Sequence, residues 1–273
     1  MYQMISRYYF IFLTIGISMA KDEIIHHSKM VTLPKAVVEQ DAFNIDTLEV
    51  VNFPLSVSDR HKLKDLMQHP VVYNTDENKN AQCHYQLHHP VPELTFPLNE
   101  EDKTKLLRLL AAFLVTPNCA GLAAPQIGIN KAALIYRIED DTKDLRKDFT
   151  HSVPITLLLN SHYEAITDEK TTDWEGCFSV ENKMGEVDRF KSIKVTAYNS
   201  EGRLLEFDAT GFEARLIQHE TDHNHGILFI DRFQDHNKRG SYEEMRPLRI
   251  KDIEKWKNAT VSEKKENIEE KHN

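Results

Sequence analysis

The stretch Gly211-Phe212-Glu213-Ala214-Arg215-Leu216-Ile217-Gln218-His219-Glu220-Thr221-Asp222-His223-Asn224-His225-Gly226 decides how this 273-residue chain is read. It reads as a helix from about Gly211 to His225, closed by Gly226, a residue suited to the left-handed backbone at a helix terminus. Residues four apart share one helix face, so the imidazoles of His219 and His223 reach a single cation. Glu220 is turned away by about 100°, where it addresses a water activated by that cation instead of the cation itself. Two surface histidines beside a carboxylate spell the same letters, and a chain with 14 histidines meets them by chance often enough that the motif alone decides nothing. A catalytic ion also needs a third protein ligand. The long zinc-protease pattern would supply a histidine where this chain has Phe229, so the third ligand must come from elsewhere.

Working outward, Ile227-Leu228-Phe229-Ile230 reads as a short buried strand or turn. Upstream, Ile193 to Tyr198 alternates apolar with polar, turns at Asn199-Ser200-Glu201-Gly202 and continues as Arg203 to Phe207, a hairpin pattern. Ala132 to Tyr136 and Thr156 to Leu159 read as short buried strands. Asn99-Glu100-Glu101-Asp102 opens a second helix with carboxylates at its positive end. Leu106, Leu107, Leu109, Leu110, Phe113 and Leu114 follow at helical spacing, and Thr116-Pro117-Asn118 ends it. Strands surrounding one central helix make an α+β domain.

The composition narrows the function classes. Lys and Arg number 34 against 43 Asp and Glu, a net charge of −9, so no nucleic-acid partner is expected. Three cysteines exclude a disulfide scaffold. No apolar run reaches the roughly 18 residues of a membrane span. Arg7, the apolar run Tyr8 to Ile17, the small residues Ser18-Met19-Ala20 and the polar Lys21-Asp22-Glu23 follow the order of a secretory signal, which predicts export to a periplasm or the exterior. A strand of the folded domain is the alternative reading of that run, leaving the chain cytoplasmic or organellar. The expected organisation is a signal over 1–20, an extension without a readable motif over 21–69, a catalytic domain over 70–236 and a charged tail or helix over 237–273.

Two segments qualify as further parts of a site. In Trp174-Glu175-Gly176-Cys177-Phe178-Ser179-Val180, Gly176 gives the backbone freedom to turn the Cys177 thiolate toward a cation, although a lone cysteine is more often a small core residue. In Gly121-Leu122-Ala123-Ala124-Pro125-Gln126, small residues let the backbone approach a ligand while Gln126 supplies a donor. With Gln218-His219-Glu220-Thr221-Asp222-His223, these segments arrive in the order found in peptide deformylases, and residues 70–236 resemble that family. Gly185, Val187 and Arg189, and the run from Gly226 to Arg232, add to the likeness.

The resemblance implies a compact single domain of short antiparallel strands around a central metal-binding helix. It implies Cys177, His219 and His223 as ligands of one divalent ion, Fe(II) foremost and Zn(II) as the alternative. Glu220 would be the general base, with the Gln126 side chain and the Phe178 backbone N–H facing the formyl oxygen. Ala120 and Gly121 would line the substrate, and Asp222, paired with Arg189, would support the ligands. The implied reaction is hydrolysis of the formyl group from N-formyl-methionyl peptides; a metallopeptidase on longer peptides and a non-catalytic formyl-peptide-binding module are the alternatives. Four positions depart from the family pattern. Cys119 stands where a glycine is usual and is expected to crowd substrate-pairing backbone. Phe178 replaces a leucine and is expected to narrow the pocket. Glu181 replaces a proline, and Met184 replaces an arginine expected to dock the substrate backbone.

Overall fold

The computed structural model of the protein describes residues 44–76 and 81–270. The signal-like segment and the rest of 1–43 lie outside the described residues. In chain order the elements are α1 (Val57–Leu66), α2 (Ala81–His88), α3 (Glu100–Val115), β1 (Gly121–Ala123), β2 (Ala133–Ile138), β3 (Val153–Ala165), β4 (Lys170–Cys177), β5 (Val180–Phe190), β6 (Ser192–Tyr198), β7 (Leu204–Thr210), α4 (Gly211–Asn224), β8 (Arg239–Ser241) and α5 (Tyr242–Glu270). Five strands form one sheet in the order β1-β2-β3-β6-β7 and three form another in the order β4-β5-β8, and every neighbouring pair is antiparallel. This is the α+β architecture that the sequence predicts.

The core explains the unbroken apolar runs. Successive side chains of a strand point to opposite faces. Leu157 and Leu159 therefore pack with α3 on one face, while Leu158 packs with α4 on the other. In β2, Ala133 and Ile135 join the first face and Leu134 and Tyr136 the second. A strand covered on both sides needs apolar residues at every position. Helix α3 starts where Asn99 Oδ1 accepts a hydrogen bond from Asp102 N at 2.7 Å, and it buries Leu106, Leu109, Leu110 and Phe113 against the sheet.

Of the strand or turn expected at Ile227 to Ile230, the structure has the turn: Phe229–Arg232 is 3-10, with Leu228 N donating to Asp231 Oδ2 at 2.8 Å. The packed body begins before residue 70. Ile45, Leu48, Val50, Phe53 and Leu63 lie in the same core as α3, Val51 bridges Thr156 of β3, and Lys103 pairs with the buried Asp59 at 2.9 Å. Nor does it stop at 236, because β8 pairs with β5 and Trp174 Nε1 donates to Asp252 Oδ2 of α5 at 3.0 Å. Burial, not charge density, sets these boundaries. Among the described residues, no helix is long and apolar enough to cross a membrane.

Packing of 44–69 has a measurable consequence. Phe53 is 1% exposed, so Phe53→Ala is expected to lower unfolding stability in urea by about 3–5 kcal/mol. Val57, 72% exposed, is expected to tolerate alanine within about 0.5 kcal/mol. Equal effects at the two positions would contradict a core that includes this segment.

Candidate metal centre

All of α4 is buried, including Glu213, Arg215, Gln218, His219, Glu220, Asp222 and His223. Polar groups withdrawn from water require partners, and most of these have them. Gln218 bonds both main-chain groups of Phe190, receiving its N–H at 3.0 Å and donating to its carbonyl at 2.8 Å. Asp222 accepts from Arg189 Nη1 at 2.5 Å, from Arg232 Nη2 at 2.7 Å and from the Tyr163 hydroxyl at 2.9 Å. Burial disfavours the charged Asp222 carboxylate, but Arg189 and Arg232 hold its pKa below the ordinary value. The pairing of Asp222 with Arg189 expected from the sequence is therefore present.

Glu175, at the end of β4, is the larger organiser and was not singled out from the sequence. Its carboxylate is 0% exposed and accepts from Arg189 Nε at 3.0 Å, Arg189 Nη2 at 2.9 Å and Arg215 Nη1 at 2.8 Å. His219 Nδ1 lies 2.8 Å from Glu175 Oε2. Burial opposes ionisation, yet Arg189 and the hydrogen bonds from His219 and Arg189 keep the carboxyl well below the usual range. Because the carboxylate accepts, Nδ1 carries the hydrogen, and Nε2 is the ring nitrogen that would ligate a cation. Tyr163, Arg215 and Arg232 were likewise missed; the one available signal was Glu175 itself, two residues before Cys177.

The turn between β4 and β5 sets Cys177 against α4. Cys177 Sγ lies 3.1 Å from His223 Nε2, the two imidazoles are 5.0 Å apart between ring centres, and ligand atoms of Cys177, His219 and His223 all lie within 4.8 Å of one another. Ligand atoms about 2.0–2.3 Å from one tetrahedral ion sit roughly 3.5 Å apart, so the cluster has the right scale. Its donors suit a borderline ion: one thiolate sulfur and two imidazole nitrogens. Glu220 Oε2 is buried with no hydrogen-bond partner among the described residues, the state of a carboxylate awaiting a polar ligand.

A small cleft opens beside the cluster, lined by Asn118, Ala120, Gly121, Gln126, Cys177, Phe178, His219 and Glu220. Seven of the residues expected at the site thus meet in one place, joined by His223 beside them. Burial pushes the Glu220 carboxyl up to about 7, against the pull of His219. Gln126 Oε1 accepts from Ala123 N at 2.8 Å, which aims its Nε2 at Cys177 Sγ, 3.4 Å away. Gly121 permits all this: a Cβ there would stand 2.5 Å from Glu220 Oε1. Phe178 lines the cleft and stacks on Tyr73 at 5.2 Å, so a residue from the segment before α2 backs this side chain of the wall.

Met184 is 2% exposed in β5, opposite Gly240 of β8, and is not among the residues lining the cleft. The Cys119 thiol is 1% exposed, belongs to the α3 core and donates to the Gly121 carbonyl at 3.2 Å.

A family model described as polypeptide deformylase matches residues 78–239. Peptide deformylase 2 of Rickettsia conorii is 44% identical over 140 residues, covering 50% of this chain and 69% of its own length. Peptide deformylase 1 of Nitrosomonas europaea is 36% identical over 135 residues, covering 50% of this chain and 75% of its own. A crystal structure of class I type b peptide deformylase from Acinetobacter baumannii is 29% identical with a TM-score of 0.48, covering 55% of this chain and 93% of that one.

The contact at Gly121 is directly testable. Gly121→Ala is expected to force the Glu220 carboxylate aside while Cys177, His219 and His223 stay in place, as read from a crystal structure and the metal content of the variant. An unmoved Glu220 would contradict the close approach described above.

Proposed function

The chain belongs to the peptide deformylase family, a metal-dependent hydrolase that removes the formyl group from N-formyl-methionyl peptides, and we propose that Cys177, His219 and His223 hold its ion. The observation that carries the residue assignment is the convergence of those three ligand atoms with Glu220 and Gln126 around one cleft. A divalent ion bound there supplies nucleophilic hydroxide near neutral pH and polarises the formyl carbonyl. The remaining chemistry falls to the chain's own side chains.

Glu220 takes the proton released as water attacks the formyl carbon, and returns it to the α-amine of the methionyl peptide as the C–N bond to the formyl carbon breaks and formate is freed. Its pKa near 7 suits both transfers, since a group balanced at working pH gives and accepts protons with equal ease. The free hydrogen of the Gln126 amide and the Phe178 backbone N–H stabilise the oxyanion; one such donor is worth about 2.7–4 kcal/mol. Arg189 and Arg215 hold Glu175, and Glu175 holds the His219 ring. Ala120 and Gly121 offer the main chain along which the peptide lies, as the β1 edge of the sheet borders the cleft. Fe(II) is the favoured ion on the strength of the family resemblance, and Zn(II) suits the same thiolate and imidazole donors.

Formate release from formyl-Met-Ala tests this reading. The full chain, purified anaerobically and loaded with Fe(II) or Zn(II), is expected to release formate, and a chelator is expected to abolish the activity until metal is restored. Glu220→Ala is expected to keep the metal and lose about 10²–10⁴-fold in kcat. A Glu220→Ala enzyme as active as the parent would remove Glu220 from the mechanism. Identity of the ion has its own readout: the Fe(II) enzyme should lose activity in air through thiolate oxidation, and the Zn(II) enzyme should not.

A further inference from the structure

A second cluster of ligating side chains lies outside the cleft. His84 and His88 stand four residues apart on α2, with ring centres 4.3 Å apart, so both imidazoles share one helix face. Asp76, from the segment before that helix, places Oδ1 2.8 Å from His88 Nε2. Ligand atoms of Asp76, His84 and His88 all lie within 4.8 Å of one another, the same convergence shown by Cys177, His219 and His223. His84 is exposed and the other two are partly so, which leaves the cluster open to an ion and to completing waters.

The cluster is built on rigid anchors. Asp76 N donates to the Ser179 carbonyl at 2.7 Å. Two residues before Asp76, Asn74 Nδ2 donates to Gln86 Oε1 of α2 at 2.9 Å and to the Pro125 carbonyl at 2.8 Å. On the helix side, Leu87 is 0% exposed and shares a core with Cys177, Val180 and Phe229. Gly226 fixes the end of α2, since a Cβ there would strike His89 N at 2.3 Å. The segment that carries Asp76 is thus held by hydrogen bonds and the helix that carries both histidines by buried packing.

We propose that Asp76, His84 and His88 form a second metal site, distinct from the catalytic one, for a borderline transition-metal ion such as Zn(II), Ni(II) or Cu(II). Two imidazoles and one carboxylate select those ions over Mg(II) and Ca(II), which prefer all-oxygen shells. Three protein ligands with water in the remaining positions make it weaker than a closed structural site. Because Asp76 is tied to Ser179, an ion here clasps α2 to the strand turn that carries Cys177. The site is regulatory or stabilising in kind, as none of its residues lines the cleft.

Titration of the full chain with Zn(II) and with Co(II) tests the proposal. The wild type is expected to take up a second equivalent after the first, and that second Co(II) should add no thiolate charge-transfer absorbance, since its ligands hold no sulfur. His84→Ala combined with His88→Ala is expected to lose the second equivalent while keeping the first and its formate release. Asp76→Asn, which leaves the helix untouched, should weaken the second equivalent alone. Added Zn(II) should raise Tm further in the wild type than in the double variant once the first site is full. Saturation of the wild type at one equivalent, or retention of the second by the double variant, would overturn the proposal.

Discussion

One carboxylate holds the site together. Glu175, with no exposure to solvent, joins Arg189 of β5, Arg215 and His219 of α4, and through Arg189 the Asp222 cluster beyond. Removing such charges from water is costly, and replacing a buried ion pair by apolar residues is often neutral or stabilising by about 1–4 kcal/mol. Stability is therefore a poor account of this network. Orientation is a better one: it fixes the hydrogen on His219 Nδ1, fixes the ring plane, and locks the β4–β5 hairpin that presents Cys177 onto the helix that presents both histidines.

The rest of the fold makes that arrangement possible. A two-faced sheet puts α3 on one side and α4 on the other, so α4 runs through the interior and not along the surface. Interior position raises the stakes for each of its polar side chains. Gln218 and Asp222 have partners for their side chains, while Glu220 Oε2 and His223 Nδ1, like Arg215 Nε and both Asn224 amide atoms, have no hydrogen-bond partner among the described residues. The close approach of Gly121 then places sheet backbone against the Glu220 carboxylate, so the acid–base group and the substrate-facing edge share one wall.

Much of this was legible in the sequence, for physical reasons that can be stated. The helix of His219 and His223 announces itself by four-residue spacing, and Gly226 at its end does adopt positive φ. Strands β2 and β3 read clearly because burial on both faces demands continuous apolar residues. The β4–β5 hairpin did not, since Lys170 to Asp173 and Glu181 to Lys183 present polar side chains that leave no alternation to see. Segment 44–69 was misjudged because its core residues are scattered among polar ones and contribute to a core completed by α3. Glu175 was visible as a letter but not as a role: its partners lie 14, 40 and 44 residues away.

The central claim is that the Glu175 carboxylate orients His219 for metal binding, and metal affinity of Glu175→Gln measures it. Glutamine keeps the shape and removes the charge that fixes the imidazole hydrogen. Loss of such an outer contact is expected to weaken the catalytic ion by about 10–100-fold, read by competition with a chelator on protein whose circular dichroism matches the parent. A Glu175→Gln protein that is folded and binds the ion as tightly as the wild type would contradict the account.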